Sequence, residues 1–211
     1  MILPPMHIAI IGTGNVGHAL GSGWLKVGHE VVFGVRDPES PKARKARQAL
    51  PDARFMEPAA AAAAAETVVI TTPPEAVLPL IEAFGPLDGK VIIDTTNSVR
   101  SRPGDFPTAF HAFRRLCPQA QVVKCFNSTG FENMLQPLYP GGGIDMFCAS
   151  DDAYAKSVAA RLALDLGFGQ CIDFGGDAQV ELLEKFALAW INLAIMQGQG
   201  RNIALRVVRR P

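Results

Sequence analysis

Three glycines at fixed spacing, Gly12-Thr13-Gly14-Asn15-Val16-Gly17, lie between an apolar stretch, His7-Ile8-Ala9-Ile10-Ile11, and a helical pattern carried by Val16, Leu20, Trp24 and Leu25. The spacing constrains the fold strongly because it requires a strand, a tight turn and a helix in immediate succession. The first glycine permits the turn, the second lets backbone approach a pyrophosphate, and the third lets helix and strand pack closely. Exposed N–H groups at the helix start add partial positive charge where phosphates would sit. In this context the run implies a dinucleotide site.

The choice of dinucleotide is read about 20 residues further on, at the end of the second strand. That strand, Glu30-Val31-Val32-Phe33, is followed by Gly34-Val35-Arg36-Asp37. A site for NAD presents a carboxylate there to the ribose hydroxyls. Gly34 offers none and leaves space, and Arg36 can grip a 2′-phosphate with its planar guanidinium. Lys42, Arg44, Lys45 and Arg47 read as a solvated helix face, and Asp37 is the neighbouring side chain able to reach a ribose. The balance favours NADP(H).

The 211 residues carry 20 basic and 20 acidic side chains, and this zero net charge argues against nucleic acid or an anionic membrane as partner. Met1 to Met6 lacks the layout of a secretory leader. No window approaches the roughly 18 apolar residues of a spanning helix. Cys117, Cys125, Cys148 and Cys171 form no Cys-x-x-Cys pair, so they read as buried reduced thiols of a cytoplasmic protein. His7, His18, His29 and His111 show no metal-like spacing, and no metal site is expected.

Beyond Gly34, strands and helices alternate. Strands are expected at 53–55, 67–71, 90–94, 122–126, 145–148 and 170–174, and helices at 59–65, 75–84 and 153–166. The expectation is an α/β fold, a Rossmann-type doubly wound, mostly parallel sheet with a small C-terminal helical segment. Gly175-Gly176 is the candidate hinge, dividing a dinucleotide-binding domain, 1–175, from a helical segment, 176–211. A helix over 178–197 carries an apolar stripe too wide to stand alone. Its partner is expected to be the first domain, a second subunit or both, and a homodimer through this helix is the expectation. Gly141-Gly142-Gly143 reads as a flexible loop able to act as a lid.

Four segments recur in order and spacing: the glycine run, Gly34-Val35-Arg36-Asp37, Asp94-Thr95-Thr96-Asn97 and Val123-Lys124-Cys125-Phe126-Asn127-Ser128. Together they resemble the coenzyme F-420-dependent NADP oxidoreductases and the related NADPH-binding domain of the Steap metalloreductases. The resemblance covers nearly the whole chain, including Gly198-Gln199-Gly200-Arg201-Asn202. It implies direct hydride transfer between NADPH and a deazaflavin or flavin ring in a cleft completed by the C-terminal segment. By position it also implies that Gly34, Val35 and Arg36 meet the 2′-phosphate, that Thr71, Thr72 and Pro73 flank a ribose, and that Asn97 and Asn127 face the nicotinamide. Val35 replaces a Ser or Thr common in the family, leaving more of the selectivity to Arg36.

Ring-to-ring hydride transfer needs two stacked planes and a dry cleft more than an acid or base. The missing catalytic constellation fits that chemistry. Asn97 and Asn127 would hold the carboxamide, or merely cap turns. Phe126, Phe131 and Met134 could line an acceptor pocket but read better as core. A β-hydroxyacid or imine-type reductase is the alternative enzyme; its catalytic lysine would be Lys185, although Leu188 and Ala189 stand where an Asn belongs. Glu184 beside it reads as surface charge. A non-catalytic NADPH-binding sensor is the third possibility, favoured if Met134, Trp190 or Met196 closes the acceptor cleft.

Overall fold

The computed structural model describes residues 4–210 and places eight strands in one sheet. Residues 1–3, part of the stretch weighed above as a leader, lie outside them. Strand β1 (His7–Ile11) leads into helix α1 (Asn15–Lys26), and β2 (Glu30–Gly34) into α2 (Pro41–Ala49). Next come β3 (Arg54–Met56), α3 (Pro58–Ala63), β4 (Thr67–Ile70) and α4 (Val77–Ala83), the last preceded by a 3-10 turn at Pro74–Ala76. Strand β5 (Val91–Asp94), α5 (Ala109–Leu116), β6 (Gln121–Cys125) and the short α6 (Phe131–Leu135) follow. These six strands stand in the order β3-β2-β1-β4-β5-β6, all parallel. The order reverses between β1 and β4, the crevice where a doubly wound sheet binds its ligand.

A two-stranded hairpin, β7 (Leu138–Tyr139) and β8 (Gly142–Gly143), precedes β9 (Asp145–Ala149), α7 (Ala153–Asp165) and β10 (Gln170–Asp173). Strand β9 joins β6 antiparallel, and β10 runs parallel to β9. Helix α8 (Val180–Ile191) continues into a π turn at Asn192–Met196.

The sequence explains these choices. A strand covered on both faces must be apolar throughout, and Ile8 to Ile11, Val68 to Ile70 and Val91 to Ile93 are all buried. Three helices start on side chains that accept their first free N–H groups. Ser40 accepts from Ala43, Thr108 from His111 and Asp152 from Ala155. Two cores result, one on each face of the sheet. Trp24, Phe126 and Leu162 fill the first, and Phe110, Phe113 and Leu183 the second.

Helix α8 places Val180 and Leu183 in this second core, so the sheet is one partner of its stripe. Leu182, Leu188, Ile195 and Met196 remain exposed. The expected hinge is a fastened turn: the Gly175 carbonyl accepts from Ser150 N–H at 3.0 Å, and a Cβ at Gly176 would collide with the Asp151 carboxylate.

One loop expectation is revised. Gly141-Gly142-Gly143 is not a loose lid. Its last two residues pair with β7, and a Cβ on Gly143 would lie 2.5 Å from the Gly169 backbone nitrogen. Glycine serves here for close backbone approach. The four cysteines are free, and three lie together: Cys125 stands opposite Cys148 across β6 and β9, with Cys171 beside them on β10. Burial pushes the Cys125 thiol above its ordinary value, which keeps it protonated and unreactive.

Candidate functional site

The glycine turn joins β1 to α1 at the sheet's crevice, and each glycine has its own reason. Gly12 adopts φ +115, a conformation side chains rarely accept, and its N–H donates to the Gly34 carbonyl at 3.0 Å. A Cβ on Gly17 would collide with the Gly12 carbonyl oxygen and stand 2.8 Å from Thr71 Oγ1. Gly14 is exposed, and a Cβ there would meet nothing within 4 Å. No side chain caps α1 at Gly14, so the N–H groups of Asn15, Val16 and Gly17 begin the helix without an internal acceptor. This is a cradle for an anion, with open space on the side from which a phosphate would come.

Thr71, expected beside a ribose, uses its hydroxyl within the protein. Its Oγ1 donates towards the carbonyls of Ile11 at 2.9 Å and Gly12 at 3.2 Å, fastening the turn to the end of β4. The next residue is different: Thr72 Oγ1 is buried without a partner among the described residues, and Pro73 is exposed.

At the end of β2 the glycine has a different cause from the one expected. A Cβ on Gly34 would lie 2.7 Å from Ile11 Cδ1 and 3.0 Å from Pro58 Cα, so the gap is filled by β1 and α3. The consequence for a ligand is the same, because a carboxylate cannot stand there. Val35 is half-buried and its N–H donates to the Met56 carbonyl. Arg36 is exposed and enters none of the ion pairs of the described residues. Asp37 is occupied locally: its Oδ1 accepts from Glu39 N–H at 2.9 Å and its carbonyl from Ser40 Oγ at 2.7 Å, an Asx turn opening α2. Arg44 and Arg47 each lie 3.5 Å from the Glu39 carboxylate, so those two belong to a solvated helix face.

Asn97 and Asn127 face each other past the ends of β5 and β6. Asn97 Nδ2 donates to the Asn127 carbonyl at 2.8 Å, and Asn127 Nδ2 donates to Asn97 Oδ1 at 3.0 Å. Asn127 Oδ1 has no partner among the described residues. The preceding Phe126 holds φ +59, the left-handed region, which a bulky residue adopts only when its surroundings dictate it. Its ring is fully buried against Trp24 and Phe168.

Beneath this pair lies a cluster that sequence reasoning did not assemble. Lys124, wholly buried on β6, donates to Asp94 Oδ2 at 2.9 Å, the Thr96 carbonyl at 2.6 Å and Glu184 Oε1 at 2.5 Å. Glu184 is therefore not surface charge; it sits on the inner side of α8 and also accepts from Ser98 N–H at 2.8 Å. Burial pushes its carboxyl above the ordinary carboxylate range, opposed by the attraction of Lys124.

A cleft of about 320 Å³ opens beside these residues, lined by Ser98, Arg102, Thr108, Glu184, Lys185 and Leu188 among others. Met134 and Trp190 do not close it; both are buried, and Trp190 Nε1 donates to the Ile203 carbonyl at 2.7 Å. Met196 is exposed elsewhere on the C-terminal segment. Phe131 and Trp190 flank the Arg201 guanidinium, which also donates to Glu132.

The strand order and the glycine turn at the point of reversal define a dinucleotide-binding protein of the doubly wound class. Residues 7–98 match the family described as NADP oxidoreductase, coenzyme F420-dependent. The chain is similar to the crystal structure of a candidate F420-dependent NADP-reductase from Arthrobacter sp. FB24, at 29% identity and a TM-score of 0.85, covering 97% of this chain and 100% of that one. A hypothetical protein from Sinorhizobium meliloti shares the fold at 20% identity and a TM-score of 0.72, covering 97% and 96% of the two chains. So does a reductive aminase from Aspergillus terreus, solved with NADPH and ethyl levulinate, at 21% identity and a TM-score of 0.68. That match takes in 92% of this chain and 63% of the aminase. The matching family and the Arthrobacter protein are both described as NADP-dependent oxidoreductases or reductases.

Proposed function

We propose that this protein transfers hydride directly between NADPH and a deazaflavin- or flavin-like acceptor. The observation that carries the cofactor half is the pairing of an uncapped glycine turn, open at Gly14, with an unengaged Arg36 beside an Asp37 already held in its own turn. The α1 N–H groups and the turn backbone would bind the pyrophosphate, and Arg36 would hold the 2′-phosphate through charge-assisted bonds. Thr72 Oγ1 is free to meet a ribose hydroxyl. Asn97 and Asn127 would orient the carboxamide and so choose the ring face turned to the acceptor. When bound, NADPH supplies the hydride itself; the chain supplies position and a cleft from which water is displaced.

The cleft at Ser98, the residue after Asn97, supports an acceptor site, and its walls from α8 support a catalytic protein over a sensor module. Lys185 on the same cleft keeps a carbonyl- or imine-type acceptor as the second reading, distinguished by turnover on small ketones in place of flavins. The exposed side chains Leu182, Leu188, Ile195 and Met196 support pairing of two copies through the C-terminal segment, which sedimentation at rising concentration tests. The four free cysteines fit a reducing, cytoplasmic setting.

Arg36→Ala is the test of cofactor choice. NADPH binding should weaken about 10- to 100-fold, the worth of a lost hydrogen bond to a charged group, while NADH binding stays unchanged. Equal loss for both cofactors in parallel titrations would remove Arg36 from the phosphate role.

A further inference from the structure

We infer that Lys124, acting through Asp94 and Glu184, is a positioning residue for the nicotinamide end of the bound dinucleotide. The inference rests on the NADP(H) reading above and assigns that site a part that lies beneath it.

The ammonium group has three protons, and all three are engaged: Asp94 Oδ2, the Thr96 carbonyl and Glu184 Oε1. The second oxygens of the two carboxylates are engaged as well. Asp94 Oδ1 accepts from Thr96 N–H at 2.8 Å, and the other oxygen of Glu184 accepts from Ser98 N–H. The backbone on both sides of Asn97 is thereby fastened to one buried cation. Asn97 is in turn locked to Asn127, whose Nδ2 also lies 3.4 Å from the Leu183 carbonyl of α8. The cluster ties β5, β6 and α8 together at the single loop that borders the cleft.

Stability alone is a poor account of such a group. Desolvating an ion costs several kcal/mol, and apolar replacements of buried ion pairs are often neutral or stabilising. What an apolar core could not supply is a fixed place for the 96–98 backbone. The same loops carry buried polar atoms without a partner among the described residues, namely Thr96 Oγ1, Ser98 Oγ and Asn127 Oδ1. Buried polar atoms normally have partners, and three within one loop pair point to a ligand that supplies them.

Glu184→Leu tests this in the full chain, because it releases Ser98 and α8 while leaving the Lys124–Asp94 pair balanced. NADPH and 2′-phospho-ADP-ribose, which lacks only the nicotinamide, are titrated by calorimetry against wild type, Glu184→Leu and Glu184→Gln. The expected result is NADPH binding weakened about 10-fold in Glu184→Leu, the cost of one mispositioned set of hydrogen bonds. Affinity for the nicotinamide-free ligand should be unchanged, and Glu184→Gln, which keeps one acceptor oxygen, should recover part of the loss. Equal weakening of both ligands, or unchanged NADPH binding, would overturn the positioning role. If Glu184→Leu does not fold, Glu184→Gln carries the same comparison with a smaller difference. A wild-type protein that binds neither ligand would overturn the glycine-turn reading and this inference together; one that binds both equally well would overturn the inference alone.

Discussion

Gly14→Val abolishes NADPH binding while the free protein keeps its wild-type melting temperature. A Cβ at this position meets no protein atom within 4 Å, and the backbone there, at φ −71 and ψ −177, is open to any residue. The fold therefore has little to lose. The added side chain instead occupies the approach to the free N–H groups of α1, where several bonds to a charged phosphate form together. Each is worth about 1.5–3 kcal/mol, so losing them weakens binding by 100-fold or more, on the order of one to two such bonds. Calorimetric titration with NADPH reads the loss. Undiminished affinity would show that the phosphates lie elsewhere.

Gly17→Val has the opposite profile. Here a Cβ is driven into the Gly12 carbonyl oxygen, and the Thr71 hydroxyl that fastens the turn stands 2.8 Å away. Backbone cannot rotate aside as a flexible side chain can, so α1 must lift from β1. Overpacking of this kind costs about 1–3 kcal/mol in ordinary cores, and the backbone obstacle places this change at or above the top of that range. Urea unfolding should show a midpoint well below wild type. An unchanged midpoint would mean that α1 has slack the packing does not reveal. Two glycines three residues apart thus separate binding from folding.

Much of this architecture is legible in the sequence because its causes are local. The glycine run dictates a strand, a turn and a helix, and continuous apolar runs such as Val68 to Ile70 mark strands covered on both faces. Strand direction has no such signature: β9 reads as an apolar run whether it lies parallel or, as it does, antiparallel to β6. The glycines mislead where their cause is remote. Gly34 leaves no space for a phosphate because α3 fills it, and Gly143 is small because Gly169 lies against it. The Asx turn that occupies Asp37 and the pairing of Arg44 and Arg47 with Glu39 are contacts between near neighbours in the chain.

The Lys124 cluster has a signal in the sequence. A lysine inside Val122-Val123-Lys124-Cys125-Phe126 cannot be buried without opposite charge. Glu184 follows Val180 by four residues and precedes Ala187 by three, on the buried side of α8. Each anomaly demands a partner, yet their pairing across 60 residues depends on where α8 docks, which no local pattern states.

The central claim is hydride transfer, and anaerobic NADPH oxidation tests it most directly. The purified protein is offered the deazaflavin coenzyme F420, FMN and FAD in parallel, and the loss of NADPH absorbance is followed. Turnover with at least one of the three, slowed by Arg36→Ala, is the predicted result. Tight NADPH binding with no oxidation by any of them would contradict the account.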